Sequence, residues 1–198
     1  MAKTSLLLVS IFVLSVAITG NSSATPRPSA ASNYVKASCS SVTYPQLCVK
    51  SLGDYSSKIQ NNPHQLALTA LSVSLDGSNS AQTFVKNLGK FKGLKKREYA
   101  GIRDCLEEIQ DTTERLQKSI KEMSDMTKYR GSDFIWHMSN VQTWVSAALT
   151  DENTCLDGFA GRALDGKTKS AIRARIVNVA QLTSNALALC NSFASKKH

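Results

Sequence analysis

The sequence predicts an all-α protein, an up-down-up-down four-helix bundle preceded by an N-terminal helical hairpin. Three observations carry that expectation. After Pro63 no proline occurs in the remaining 135 residues, so nothing there forces a helix to break. Across that span apolar residues recur at alternating steps of three and four, the spacing that lines one side of an α-helix. Only three short breaks interrupt the pattern, and loops that short join antiparallel neighbours. Packing four such stripes against one another in the simplest connectivity gives the bundle.

The chain opens with Lys3, an apolar run from Leu6 to Ile18 interrupted by Ser10 and Ser15, and then small and polar residues. This is the layout of a secretory signal peptide, assigned to residues 1–24 with cleavage after Ala24. The run falls short of the ~20 residues a membrane span needs, and no other apolar run of that length follows, so a membrane role is not expected. Residues 25–33 form a small, Pro-containing leader, and cleavage would discard the Asn21 sequon. Residues 34–60, with Cys39 and Cys48 inside them, are read as the helical hairpin, lying outside the bundle.

The bundle itself is assigned to residues 61–196, and with the hairpin it makes one domain, 34–196. Its clearest stripe is Tyr99, Ile102, Leu106, Ile109, Thr113, Leu116, Ile120 and Met123. A second is Phe134, Met138, Val141, Val145, Ala148 and Cys155, and a third Ile172, Ile176, Val179, Thr183, Ala186, Cys190 and Phe193. The weakest reads Leu66, Ala70, Val73, Gly77, Phe84 and Leu88, where Gly77 argues against one continuous helix. The breaks fall at Gly89–Arg97, Arg130–Asp133 and Gly161–Lys167.

Twenty-four basic against 15 acidic residues give a net charge of +9, which becomes +8 once Lys3 leaves with the signal peptide. Export argues against nucleic acid as the partner. Lys90, Lys92, Lys95, Lys96 and Arg97 cluster in one predicted loop, the place to look for weak contact with a polyanion such as anionic pectin. Five cysteines in an oxidising compartment allow at most two internal bridges and leave one thiol over. Zinc fits poorly, because no two cysteines have short ligand spacing and the histidines at 64, 137 and 198 are scattered. There is no nucleophile elbow, zinc-protease helix motif, P-loop or dinucleotide turn, so neither catalysis nor a cofactor is expected. One acidic group stands out in this basic chain: Glu107, Asp111 and Glu114, spaced i, i+4, i+7, lie about 150° around their helix from its apolar stripe.

Two cysteine-centred blocks carry a resemblance. The segments Cys39-Ser40-Ser41-Val42-Thr43-Tyr44-Pro45-Gln46-Leu47-Cys48 and Trp144-Val145-Ser146-Ala147-Ala148-Leu149-Thr150-Asp151-Glu152-Asn153-Thr154-Cys155 resemble the plant invertase and pectin methylesterase inhibitor family. The resemblance spans essentially the whole mature chain. It implies a four-helix bundle with an N-terminal hairpin, disulfides Cys39–Cys48 and Cys105–Cys155, and a secreted, non-catalytic inhibitor acting in the cell wall. Helical phase agrees with the second bridge, since Cys155 lies on its inward stripe and Cys105 flanks Leu106 and Ile109 on the antiparallel neighbour. Cys190, between Ala186 and Phe193 on an apolar stripe, is then the free and buried thiol.

The resemblance also implies an enzyme-binding face: Glu107, Asp111 and Glu114 after the third cysteine, Thr154 just before the fourth, and Asp157 two residues after it. The invertase branch carries a Pro-Lys-Phe tripeptide between the third and fourth cysteines and commonly lacks the fifth. This chain has no proline there and has Cys190, so the expected partner is a plant pectin methylesterase, bound one to one, ahead of an invertase. The alternative from a different class is a basic pectin-binding or signalling helical bundle.

Overall fold

The computed structural model of the protein describes residues 29–159 and 166–196. The signal segment 1–24 with Asn21, residues 25–28 of the leader, position 160, positions 161–165 of the third break, and residues 197–198 lie outside the described residues. Among the described residues there is no strand, and the order is α1 (Ala30–Cys39), α2 (Pro45–Leu52), α3 (Ser56–Ile59), α4 (Pro63–Leu88), α5 (Lys96–Asp125), α6 (Gly131–Gly158) and α7 (Lys167–Ser195), with short 3-10 turns before α3 and after α5.

Local chemistry sets the ends. The Ser29 hydroxyl accepts the Ser32 N–H at 3.1 Å, so α1 begins at Ala30, inside the segment read as leader and four residues before the hairpin was expected to start. Pro63 takes the first position of α4, where its missing N–H costs nothing, and the Asn62 side chain accepts the N–H groups of His64 and Gln65. At the start of α5 the Glu98 carboxylate reaches back to the Lys95 N–H at 2.8 Å.

Helices α4 to α7 close a ring in which α4 and α6 each pack on both α5 and α7. The hairpin is more than an appendage to it. Val35, Cys39, Cys48, Leu52 and Ile59 are buried in one cluster with Leu71, Met123, Val141 and Leu189 of the bundle. Asn185 of α7 fixes the hairpin turn, its side-chain oxygen accepting the Tyr44 N–H and its amide donating to the Tyr44 carbonyl, both at 2.9 Å. The expectation of a hairpin outside the bundle is corrected to a hairpin that caps one end of the bundle core.

A second apolar cluster, with Val85, Ile102, Ile109, Ile172 and Ile176, fills the other end. Between the two lies a polar waist to which every bundle helix contributes. Ser78 and Thr113 share a hydrogen bond at 2.9 Å, Thr112 donates to the Ala148 carbonyl at 3.4 Å, and Thr183 donates to Glu152 at 2.8 Å. Buried polar groups tolerate such a place only when paired, and these are, with one exception: Oε2 of Glu152 has no partner.

The expected stripes of α6 and α7 are buried throughout. Two others need correction. Tyr99 is 56% exposed, and the buried side of α5 begins at Ile102. In α4 the buried line runs Leu71, Ser74, Ser78, Ala81 and Val85, while Val73, Gly77, Phe84 and Leu88 are only partly buried. Serines that bond within the bundle look polar in sequence and so hide the inward face. The helix also runs unbroken through Gly77, where a Cβ would stand 3.1 Å from the Leu182 side chain, so the glycine serves close helix packing.

Candidate partner-binding surface

The α5–α6 pair is held by the disulfide Cys105–Cys155, with Cα atoms 4.4 Å apart, and Cys39–Cys48 closes the hairpin. Because the two helices are antiparallel, the bridge fixes their register. Seven residues along each helix from the bridge, Thr112 meets Ala148; seventeen along, Glu122 comes level with Met138, beside His137. The outward side of this pair is charged along its length.

Glu107, Asp111 and Glu114 are all exposed on α5. Glu108 sits between the ridge and α6, and its carboxyl is pushed above the ordinary glutamate range by partial burial first, and then by the charges of Asp151, Asp111 and Glu107. Arg115 is the counterweight, its Nε donating to Asp151 of α6 at 2.6 Å. Burial nevertheless leaves Asp151 above its usual range, with Asp111 adding to the effect. Acidic groups from two helices are thus concentrated on one face and held there by a bridge and an ion pair. On α6, Thr154 and Asp157 are exposed close to the Cys155 bridge, and the Thr154 hydroxyl donates to the Thr150 carbonyl at 2.9 Å. Farther along the same pair, Glu122 accepts from His137 at 2.6 Å and from Asn140 at 3.1 Å, His137 stacks on Tyr129, and Trp136 stands 62% exposed beside it.

This arrangement offers a charged face on two helices joined by a disulfide and an ion pair. Among the described residues no group of three or more potential ligands is placed to hold a metal ion, and no helix is long and apolar enough to cross a membrane. Comparison with known proteins decides what kind of scaffold it is: residues 33–189 match the family described as plant invertase/pectin methylesterase inhibitor. The chain belongs to this family.

Its relatives include a 21 kDa protein of Daucus carota, 57% identical over 85% of this chain and 88% of that protein. Pectinesterase inhibitor 11 of Arabidopsis thaliana is 49% identical over 99% of this chain and all of that protein. The fold is also that of a solved structure, a mutant form of a pectin methylesterase inhibitor from Arabidopsis, which overlays with a TM-score of 0.62 at 20% identity over 77% of this chain and 92% of that one.

Within the family scaffold, the structure gathers Glu107, Asp111 and Glu114 on one exposed side of α5 and sets Thr154 and Asp157 on the helix bridged to it. Cys190 is fully buried and unbridged, and burial pushes its thiol up to about 12, which keeps it protonated and unreactive. Lys90, Lys92, Lys95, Lys96 and Arg97 are exposed around the α4–α5 connection. Sequence reasoning missed Glu108, Arg115 and Asp151. A signal for them existed in the cysteine register, which sets the stretch after Cys105 opposite the stretch before Cys155.

Proposed function

We propose that this protein is a secreted inhibitor of a plant pectin methylesterase, binding the enzyme one to one and covering its pectin-binding cleft. Excluding polymer in this way regulates methylesterification of cell-wall pectin and requires no chemistry from the inhibitor. The observation that carries the proposal is the exposed acidic ridge of α5, clamped to α6 by Cys105–Cys155, on a chain whose overall charge is strongly positive. Family membership and relatives named as pectinesterase inhibitors support the choice of enzyme.

Glu107, Asp111, Glu114, Thr154 and Asp157 are assigned to the enzyme contact. A face built on two bridged helices loses little conformational freedom on docking, so more of its contact energy appears as affinity. Its concentrated negative charge steers association with a basic rim, an effect that salt weakens. The signal-peptide layout of residues 1–24 supports secretion, and the apoplast is the proposed place of action.

Titration of a plant pectin methylesterase and a plant invertase side by side tests the assignment. The expected result is loss of esterase activity reaching its end point at one inhibitor per enzyme, with invertase activity unchanged. Inhibition of invertase alone would overturn it.

A further inference from the structure

We propose that a second surface, between α4 and α7 at the end of the bundle away from the hairpin, binds a stretch of polyuronate, the de-esterified chain that a pectin methylesterase leaves behind. The choice of polymer rests on the proposed inhibitory function; the surface itself stands on separate observations.

An open groove of about 540 Å³ is lined by Phe84 and Leu88 of α4, by Phe91, Lys92 and Leu94 of the connection, and by Lys167 at the start of α7. The sequence places five cations in that connection and the first turn of α5, and the fold adds two from a distant part of the chain. Lys167 lines the groove directly, and the Arg175 guanidinium lies 4.9 Å above the ring of Phe84. Among the described residues none of Lys92, Lys95, Lys96, Arg97, Lys167 and Arg175 is held in an ion pair. The acid that does line the groove, Glu98, is already accepting the Lys95 N–H. Gly93, at a φ of +101° that disfavours a side chain, turns the connection between Phe91 and Leu94. Phe91 is left 65% exposed.

An apolar floor bordered by unpaired cations matches a polymer whose sugar rings present C–H faces and whose rings each carry one carboxylate. Lysines are flexible point charges that follow such a chain without demanding a fixed register. Methyl esterification removes the anions, so the groove discriminates between the esterase's product and its substrate. In the ring of helices the α4–α7 side lies opposite the α5–α6 face. The protein can therefore stay on de-esterified polymer while its acidic ridge meets the enzyme, which holds the inhibitor where the esterase has been working.

The test is salt elution of the mature protein from immobilised polygalacturonate and from highly methyl-esterified pectin. Wild type is expected to be retained on the first and to flow through the second. The groove variant Lys92→Gln/Lys167→Gln/Arg175→Gln is expected to elute at less than half the wild-type salt concentration. The control Lys36→Gln/Lys50→Gln/Lys58→Gln removes the same charge from the hairpin at the other end, and is expected to elute close to wild type. Circular dichroism checks that both are folded, and the esterase assay checks that both still inhibit. Equal weakening by the two variants, equal retention on the esterified polymer, or no retention of wild type would each overturn the groove. Loss of esterase inhibition by wild type with retention intact would instead remove the inhibitory function and leave the groove standing.

Discussion

Glu152 makes the stability of this bundle depend on pH. Its side chain is buried in the polar waist, one carboxyl oxygen accepting from Thr183 of α7 at 2.8 Å and the other without a partner. Burial, opposed by the Thr183 hydrogen bond and reinforced by the charge of Asp151, raises its pKa from 4.5 to about 8. The folded state therefore keeps the proton over a range in which the unfolded chain has lost it. Stability is complete below the unfolded value and falls as pH climbs toward the folded one. Between pH 5 and pH 8 this single group is expected to remove about 3 to 4 kcal/mol, at 1.36 kcal/mol per pH unit between the two values. For a chain of this size that corresponds to a drop in Tm of roughly 7–15 °C. The perturbation is Glu152→Gln, which keeps an oxygen for Thr183 but cannot ionise. Thermal melts followed by far-UV circular dichroism at pH 5 and pH 8 should show wild type losing most of this margin while the variant loses far less. Asp151 and Glu108 are also raised and remain in both proteins, so the difference between the two isolates Glu152. Parallel losses in wild type and variant would refute the buried-charge reasoning.

Two further outcomes follow from packing. The Cys105→Ser/Cys155→Ser variant opens a bridge spanning 50 residues and should lower stability by about 4 kcal/mol in denaturant unfolding, with the helical signal of the folded state unchanged. Gly77→Val places branched carbons where Leu182 already stands 3.1 Å from an ideal Cβ, and should cost about 1–3 kcal/mol in the same assay.

The fold was legible because the bundle's helices are long and most of their stripes regular. In α6 and α7 every residue of the expected stripe is buried, and the proline-free run carries four long helices. The first two expected breaks overlap the observed connections but extend into the first turns of α5 and α6, and most of the third lies outside the described residues. What periodicity missed has a common origin in polar residues that pair inside. Ser74 and Ser78 face inward on α4 because the Ala70 carbonyl and Thr113 satisfy their hydroxyls, and Glu152 faces inward because Thr183 meets one of its oxygens. Periodicity within one helix does not reveal a hydroxyl bonded back to its own helix, as at Ser74, or a partner on another helix, as for Ser78 and Glu152. The exposed ridge of Glu107, Asp111 and Glu114 could be read from spacing alone, since exposure depends only on phase within α5. The Arg115–Asp151 pair required the register of two helices, and the basic groove required α7 to return beside the α4–α5 connection.

The central claim is that the acidic ridge of α5 meets the esterase. Its most direct test is inhibition of pectin methylesterase by wild type and by Glu107→Gln/Asp111→Asn/Glu114→Gln, at ~0.01 M and ~0.15 M salt, where charges are felt over about 30 Å and 8 Å. The three side chains are exposed, so the variant should fold, each change costing no more than about 0.5 kcal/mol. At roughly 0.5–1 kcal/mol for each lost charge contact, inhibition should weaken about ten- to hundredfold at low salt, and the gap to wild type should narrow at high salt. A folded variant that inhibits as well as wild type at both salt concentrations would contradict the account and move the enzyme-facing surface away from α5.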